Sequence, residues 1–223
     1  MNITTTSINR IQDQPHLVIS VLIFGWLTII TALGMNDVFV SGPGDVPFAI
    51  LASFAATFIL FSVGYNRLPA FREYVLGLDM RFLILLHSWR MLGLGFVMLH
   101  LLDQLPALFA YLAGFGDALT AIVAVFLAYT MFSNREGVSR KWIWRWNTFG
   151  LMDFVVAVSV GILTRSDAIL APAKGVNSDL MTTFPFVLIP AFLVQVFALT
   201  HIIICLQLKN NHRHDERIKL RKL

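Results

Sequence analysis

The chain has 223 residues, of which 57% are hydrophobic and only 13% charged, and its mean hydropathy is +0.73. The charged fraction is about half that of a soluble domain, so the composition excludes an ordinary soluble protein and predicts an integral membrane protein. The net charge of +4 does not indicate nucleic-acid binding, because the basic residues lie beside apolar segments. The lipid bilayer is therefore the first partner that we expect.

Six apolar segments follow one another along the chain and predict six transmembrane helices. They are residues 17–34, 47–65, 82–102, 118–132, 146–164 and 184–208. Most approach the roughly 20 residues that a helix needs to cross the hydrocarbon core. The predicted fold class is all-α, a polytopic bundle in a single membrane domain over residues 1–223. This domain comprises an N-terminal segment (1–16), the six-span bundle (17–208) and a basic cytoplasmic tail (209–223).

The positive charges predict how the bundle is oriented, because Lys and Arg accumulate in cytoplasmic loops. One lies before the first span, three between the second and third, four between the fourth and fifth, and six in the tail. These are fourteen of the 17 basic residues. The opposite side holds only Arg165 and Lys174, and Arg90 lies inside a span. Both termini are therefore predicted to be cytoplasmic.

The apolar stretch at residues 104–114 lies between the third and fourth spans and contains Pro106. A proline interrupts a helix that precedes it. We therefore expect this stretch to form a short separate helix, either in the outer interface or dipping back into the membrane. Asp117 is then expected to cap the N-terminus of the fourth span.

Four ionisable residues lie well inside the predicted spans: His87, Arg90, Asp153 and His201. Counted from the nearest cytoplasmic charge, all four reach a similar depth of ~9–13 Å. Such groups are costly in hydrocarbon and mark functional sites by default. We predict that they are the ligand-binding residues of a polar pocket in the cytoplasmic half, which binds a small molecule or handles protons. Arg90 and Asp153 are predicted to form an ion pair, within about 4 Å.

Two alternatives remain open. In the first, the ion pair only holds the bundle together, in a structural or accessory membrane subunit. In the second, His87 and His201 ligate a b-type haem from two different helices, and Gly93 and Gly95 leave room for the ring. No nucleophile, zinc-protease or phosphate-loop motif indicates an enzyme.

The buried residues belong to a longer pattern. It reads His87-x-x-Arg90-x-x-Gly93, then Leu105-Pro106-x-x-Phe109-Ala110-x-x-Ala113-Gly114-x-Gly116-Asp117, then Asn147-x-x-Gly150-x-x-Asp153, and then Ile189-Pro190-x-Phe192-Leu193-Val194 before His201. The pattern resembles that of a family of small six-helix bacterial integral membrane proteins that remain uncharacterised. The resemblance implies a multi-pass protein of the bacterial inner membrane. It implies no activity, and it singles out the same buried residues.

Reporter fusions test the predicted orientation. Fusions after Gly77 and Leu208 should report the cytoplasm, and fusions after Asp45 and Lys174 the opposite side, because successive loops alternate across the membrane. A Lys174 fusion that reports the cytoplasm would contradict the six-span topology.

Overall fold

The computed structural model of the chain describes residues 4–133, 138–172 and 175–220, with side chains over 17–133, 138–172 and 175–210. The charged groups of Arg10, Arg135 and Lys174, and of the tail beyond Asn210, lie outside the described side chains. The predicted orientation therefore rests on the sequence alone.

The regular elements of the described residues are all helical, as predicted. The helices are α1 (Thr4–Met35), α2 (Phe48–Arg67), α3 (Pro69–Gly77), α4 (Met80–Leu86), α5 (Leu94–Leu101), α6 (Ala107–Ser133), α7 (Arg140–Leu163) and α8 (Val194–Leu220). A 3₁₀ segment, His87–Gly93, joins α4 to α5 within one span. A second 3₁₀ segment, Ser178–Thr182, follows α7, and a π-helical turn, Ile189–Leu193, leads into α8.

Six segments of the described chain are long and apolar enough to cross a membrane, which confirms the number predicted. They are Leu17–Met35, Phe48–Arg67, Met80–Leu101, Ala107–Ser133, Arg140–Leu163 and Ile189–Asn210. Large apolar side chains cover their outer surfaces, and Phe24, Leu60, Leu92 and Phe126 are each 66–71% exposed. A continuous apolar exterior of this kind suits lipid as its surroundings.

The prediction for residues 104–114 is wrong. α6 is one continuous helix of 27 residues, Ala107–Ser133, that includes most of this stretch. Pro106 comes just before the helix, and its carbonyl accepts a hydrogen bond from the Ala110 amide at 3.0 Å. A proline at the start of a helix removes only a donor that the first turn does not use. Asp117 therefore lies in the interior of α6 rather than at an N-cap.

α6 lies at the centre of the bundle. It packs against the first 3₁₀ segment and α5 on one side and against α7 on the other. Its buried residues are mostly small: Ala110, Ala113, Gly114, Ala118, Ala121, Ala124 and Ala128. Small residues let helix backbones approach closely in a membrane. Side chains of the third and fifth spans can therefore meet across the thin face of α6.

At one end of the bundle α2 stops and α8 continues into the tail, and we call this the tail end. Gln207 of α8 is buried there and holds α3 in place. Its amide nitrogen donates to the carbonyl oxygens of Val75 at 3.1 Å and Leu78 at 2.8 Å. The C-terminus of α3 is thus anchored to the last span.

At the opposite end, the far end, Arg165 joins two loops. Its Nε donates to Asp179 at 2.7 Å. One terminal nitrogen donates to the Ser41 hydroxyl at 3.0 Å and the Asp45 carbonyl at 2.7 Å. The other donates to the carbonyls of Ser41 at 2.9 Å and Gly42 at 3.5 Å. A guanidinium has five N–H donors, so each of them has an acceptor. The charge of Arg165 is compensated by Asp179.

Candidate functional site

The four predicted site residues lie together in the bundle. His87 and Arg90 come from the 3₁₀ segment, Asp153 from α7 and His201 from α8. A 3₁₀ helix has three residues per turn, so His87 and Arg90 point in the same direction. All four residues are buried, with exposed fractions of 0–8%.

Arg90 is the centre of the cluster. Its Nε donates to Asp117 Oδ1 at 2.7 Å, and one terminal nitrogen donates to Asp153. The other terminal nitrogen lies 3.3 Å from the carbonyl oxygen of Gly150 and 3.1 Å from His201 Nε2. The predicted pair of Arg90 and Asp153 is therefore confirmed, and a second carboxylate joins it.

Asp117 is not among the predicted site residues. It was expected to cap the N-terminus of the fourth span, because Pro106 was taken to separate two helices. Asp117 is in fact ten residues beyond Ala107, the first residue of α6, which places it about 15 Å into the helix. The available signal was the unbroken apolar run from Ala107 onwards.

The contacts of His201 fix its state as a neutral ring. A guanidinium can only donate, so His201 Nε2 accepts from Arg90 and the ring proton is assigned to Nδ1. Nδ1 donates to Asn147 Oδ1 at 2.7 Å. The Asn147 amide in turn donates to the His201 carbonyl at 3.1 Å and to Cys205 Sγ at 2.9 Å. A proton on Nε2 would face the guanidinium of Arg90, so a cationic His201 is disfavoured.

His87 is held by a hydroxyl group. Thr200 Oγ1 donates to the Phe197 carbonyl at 2.8 Å and lies 3.0 Å from His87 Nε2, so it accepts a hydrogen bond from that nitrogen. His87 Nδ1 has no hydrogen-bond partner among the described residues. His87 is therefore assigned as the neutral Nε2–H tautomer.

The two histidines, as arranged, do not fit a b-type haem. Their ring centres are only 4.0 Å apart, so no flat macrocycle fits between them. Both nitrogens of His201 are engaged by Arg90 and Asn147. Gly93, expected to leave room for the ring, faces Asp117 instead. No group of three or more His, Cys, Asp or Glu in the described part of the chain could hold a metal ion.

Three glycines make the cluster possible. A methyl group added at Gly93 would overlap the Asp117 carboxylate, and one at Gly116 would overlap the Asp153 carboxylate. A methyl group at Gly150 would overlap the ring of His201. The missing side chains therefore provide the space in which the buried polar groups lie.

Each carboxylate keeps one oxygen that accepts no hydrogen bond within the described residues. These are Asp117 Oδ2, which faces Gly93, and Asp153 Oδ1, which faces Gly116. Arg90 contributes one positive charge and the two carboxylates two negative charges, while both histidines are neutral. With both aspartates ionised, the cluster carries one negative charge in excess.

The cluster lies midway along the helical spans that the structure describes. Arg90 is ten residues after the start of its span, Met80, and eleven before the end, Leu101. Asp153 is thirteen residues after Arg140 and ten before Leu163. These positions place the cluster near the middle of the spans rather than toward one end.

A cavity of about 80 Å³ lies beside the cluster, on its far-end side. Asp117 and Phe154 line it, whereas His87, Arg90 and His201 do not. The guanidinium carbon of Arg90 lies 3.8 Å from the centre of the Phe154 ring, so this ring separates Arg90 from the cavity. Asp117 is thus the member of the cluster that faces open space.

Comparison with known proteins identifies the family. The model described as Domain of unknown function (DUF8737) matches residues 46–209, and the chain therefore belongs to that family. The match includes every residue of the cluster and ends near the close of the last span. No curated protein and no solved structure matches the chain significantly.

Stability measurements on charge variants test the network of Arg90, Asp117 and Asp153. Arg90→Met should lower the free energy of unfolding by about 3–5 kcal/mol, because two carboxylates lose their counter-charge. Adding Asp153→Leu should not restore stability, since Asp117 stays unpaired, whereas adding both Asp153→Leu and Asp117→Leu should restore much of it. Unfolding in mixed micelles with increasing SDS provides the measurement. A double variant as stable as the triple one would show that Asp117 is not coupled to Arg90.

The role of the glycines is tested by a matched pair of alanine substitutions. Gly116→Ala should destabilise the protein by about 1–3 kcal/mol, because the new methyl group displaces Asp153 from its place in a packed interior. Gly95→Ala is the control, since nothing lies within 4 Å of a methyl group at that position of α5. Equal effects of the two changes in the same unfolding assay would contradict the packing described for Gly116.

Proposed function

We propose that this protein is a multi-pass protein of the bacterial inner membrane, with both termini cytoplasmic, that takes up and releases a proton at Asp117 and Asp153. The observation that carries the proposal is the sharing of one guanidinium by two carboxylates near the middle of the spans. Each carboxylate also has an oxygen available to carry a proton.

The charge balance of the cluster supports proton binding. An uncompensated charge in a low-dielectric interior costs several kcal/mol. One proton on either carboxylate cancels the single excess charge, and two interacting carboxylates titrate as a pair. The residues that hold the proton are therefore Asp117 and Asp153 together, and Arg90 keeps the two side chains in position.

The histidines have a different role in this proposal. His201 accepts from Arg90 at 3.1 Å and is fixed as a neutral ring by Asn147. His87 packs on it and is bound to Thr200 at 3.0 Å. His201 therefore orients the guanidinium, and His87 supports the His201 ring by packing against it. Direct ligand binding by His87, Arg90, Asp153 and His201 is less well supported, because four of the five N–H donors of Arg90 are already hydrogen-bonded.

A second candidate function, a structural or accessory membrane subunit, is favoured by one observation. His87, Arg90 and His201 are 0–2% exposed and line no part of the cavity. In that case the cluster would only join four helical elements, and its protonation would not change with pH. The two proposals therefore differ in a property that can be measured.

Infrared difference spectroscopy distinguishes them. In protein reconstituted into lipid, lowering the pH should produce the carbonyl band of a protonated carboxylic acid, because one proton neutralises the cluster. The band should be lost or shifted in Asp117→Asn and Asp153→Asn. Asp37→Asn is the control, since Asp37 is exposed and Asn tolerates its positive φ of 55°. A spectrum without a pH-dependent band assigned to Asp117 or Asp153 would refute proton handling and favour the structural subunit.

A further inference from the structure

The cavity beside Asp117 has mostly apolar walls, and two charged residues, Asp117 and Arg165, line it. Three aromatic rings, those of Phe96, Phe109 and Phe154, line it. Arg165 lies at its far end, but its five N–H donors are all engaged and its charge is balanced by Asp179. Asp117, part of a cluster with one excess negative charge, lies where the cavity meets that cluster. Among the described residues that line the cavity, the uncompensated charge is therefore negative.

Partly buried residues of two helices border the cavity on its outer side. Leu51 of α2 and Val158 and Ile162 of α7 line it and are only partly buried. α2 packs on α8 and the π-helical turn, while α7 packs on α6 and α8, so α2 and α7 border the cavity from different sides. An apolar molecule dissolved in the bilayer can therefore enter between these two helices without crossing water.

The size of the cavity restricts what can enter. Its volume of about 80 Å³ is roughly half that of an engineered cavity of 150 Å³ that holds a benzene molecule. This space suits an unbranched alkyl chain with a small head group better than a ring system. The remaining chain length can lie between α2 and α7, in the lipid.

We infer that this cavity binds a straight-chain alkylammonium ion, with its ammonium group at the Asp117 carboxylate and its alkyl chain leading out between α2 and α7. The ammonium group donates a charge-assisted hydrogen bond to the Asp117 carboxylate and cancels the excess charge of the cluster. Aromatic rings around the head group add cation–π attraction. This inference rests on the proposed proton function, because the same negative charge serves both.

Proton and ammonium binding then exclude each other. Asp117 faces Arg90 from the 3₁₀ segment, with Asp153 from α7 beyond it, and the neutral rings of His87 and His201 complete the cluster. Either a proton or an ammonium ion neutralises this set, and a second positive charge would leave it with an excess of the opposite sign. Binding of one should therefore release the other, which is the thermodynamic basis of an exchange.

Equilibrium binding of radiolabelled dodecylamine to protein in phosphatidylcholine nanodiscs tests the inference, with empty nanodiscs as the background. We expect saturable binding that weakens as the pH falls, by up to about tenfold per pH unit for one competing proton. Asp117→Asn should weaken it by about 10- to 100-fold, the value of a charged hydrogen bond, while Asp37→Asn should not. Dodecanol, with the same chain and no charge, should not compete.

A cavity-filling variant separates this inference from the proton function. Ala157→Phe places a ring in the cavity without removing a charge, so it should abolish dodecylamine binding and keep the pH-dependent infrared band. Ala157→Leu serves the same purpose if the larger side chain impairs folding. Undiminished binding in a folded cavity-filling variant, pH-independent binding, or equal competition by dodecanol would overturn the inference. Loss of binding in a variant without the infrared band would show instead that the proton site itself has failed.

Discussion

The structure depends on one constraint, the need of a buried guanidinium for acceptors. The guanidinium of Arg90 has five N–H donors, which are costly to leave unpaired in hydrocarbon, and four of them are hydrogen-bonded among the described residues. Its acceptors come from three helices: Asp117 on α6, Asp153 and the Gly150 carbonyl on α7, and His201 on α8. Four elements must therefore converge at one depth. The small residues of α6 and the three glycines beside the cluster are what allow this approach.

Much of this arrangement could be predicted because charged residues are rare and costly inside apolar membrane spans. The apolar segments predict six spans, and the cost of burying ions singles out His87, Arg90, Asp153 and His201. Asp117 could not be predicted in the same way, because its depth in the membrane depends on where α6 begins. A proline before α6 and a proline between two helices look alike in sequence, and only tertiary packing decides between them. With Asp117 inside the continuous α6, the neutral pair of Arg90 and Asp153 becomes a cluster of three charged residues with one excess negative charge.

The local backbone geometry could not be predicted in the same way. Nothing in the apolar sequence around Arg90 distinguishes a 3₁₀ segment from an α-helix, yet the tighter turn aligns His87 with Arg90. The π-helical turn at Ile189–Leu193 contains Pro190, which removes a backbone donor, and a proline alone does not specify a π turn. Equal depth suggested two haem ligands, whereas the rings are in direct contact. Counting residues along a helix predicts how deep a side chain lies. The distances between side chains at the same depth depend on how the helices are rotated and packed.

The two sides of the cluster differ, and this difference bears on any exchange across the membrane. Toward the far end, the cavity reaches Asp117 directly. Toward the tail end, an apolar cluster covers the polar groups, with Ile84, Leu127, Trp146, Ile204 and Leu208 among its members. Trp146 is the innermost of these, with its ring centre 5.1 Å from those of His87 and His201.

In the proposed proton function, a proton bound from the far end would leave toward the tail end only if this apolar layer opened. The 3₁₀ segment lies at the level of the cluster and the π-helical turn next to the cavity, and irregular turns of these types often mark hinges or functional sites in helices. Movement of α8 about its π-helical turn would carry His201, Ile204 and Leu208 away from α7 together. The same residue that orients Arg90 would then move with the residues that close the tail side, so that access and charge state would change in one step.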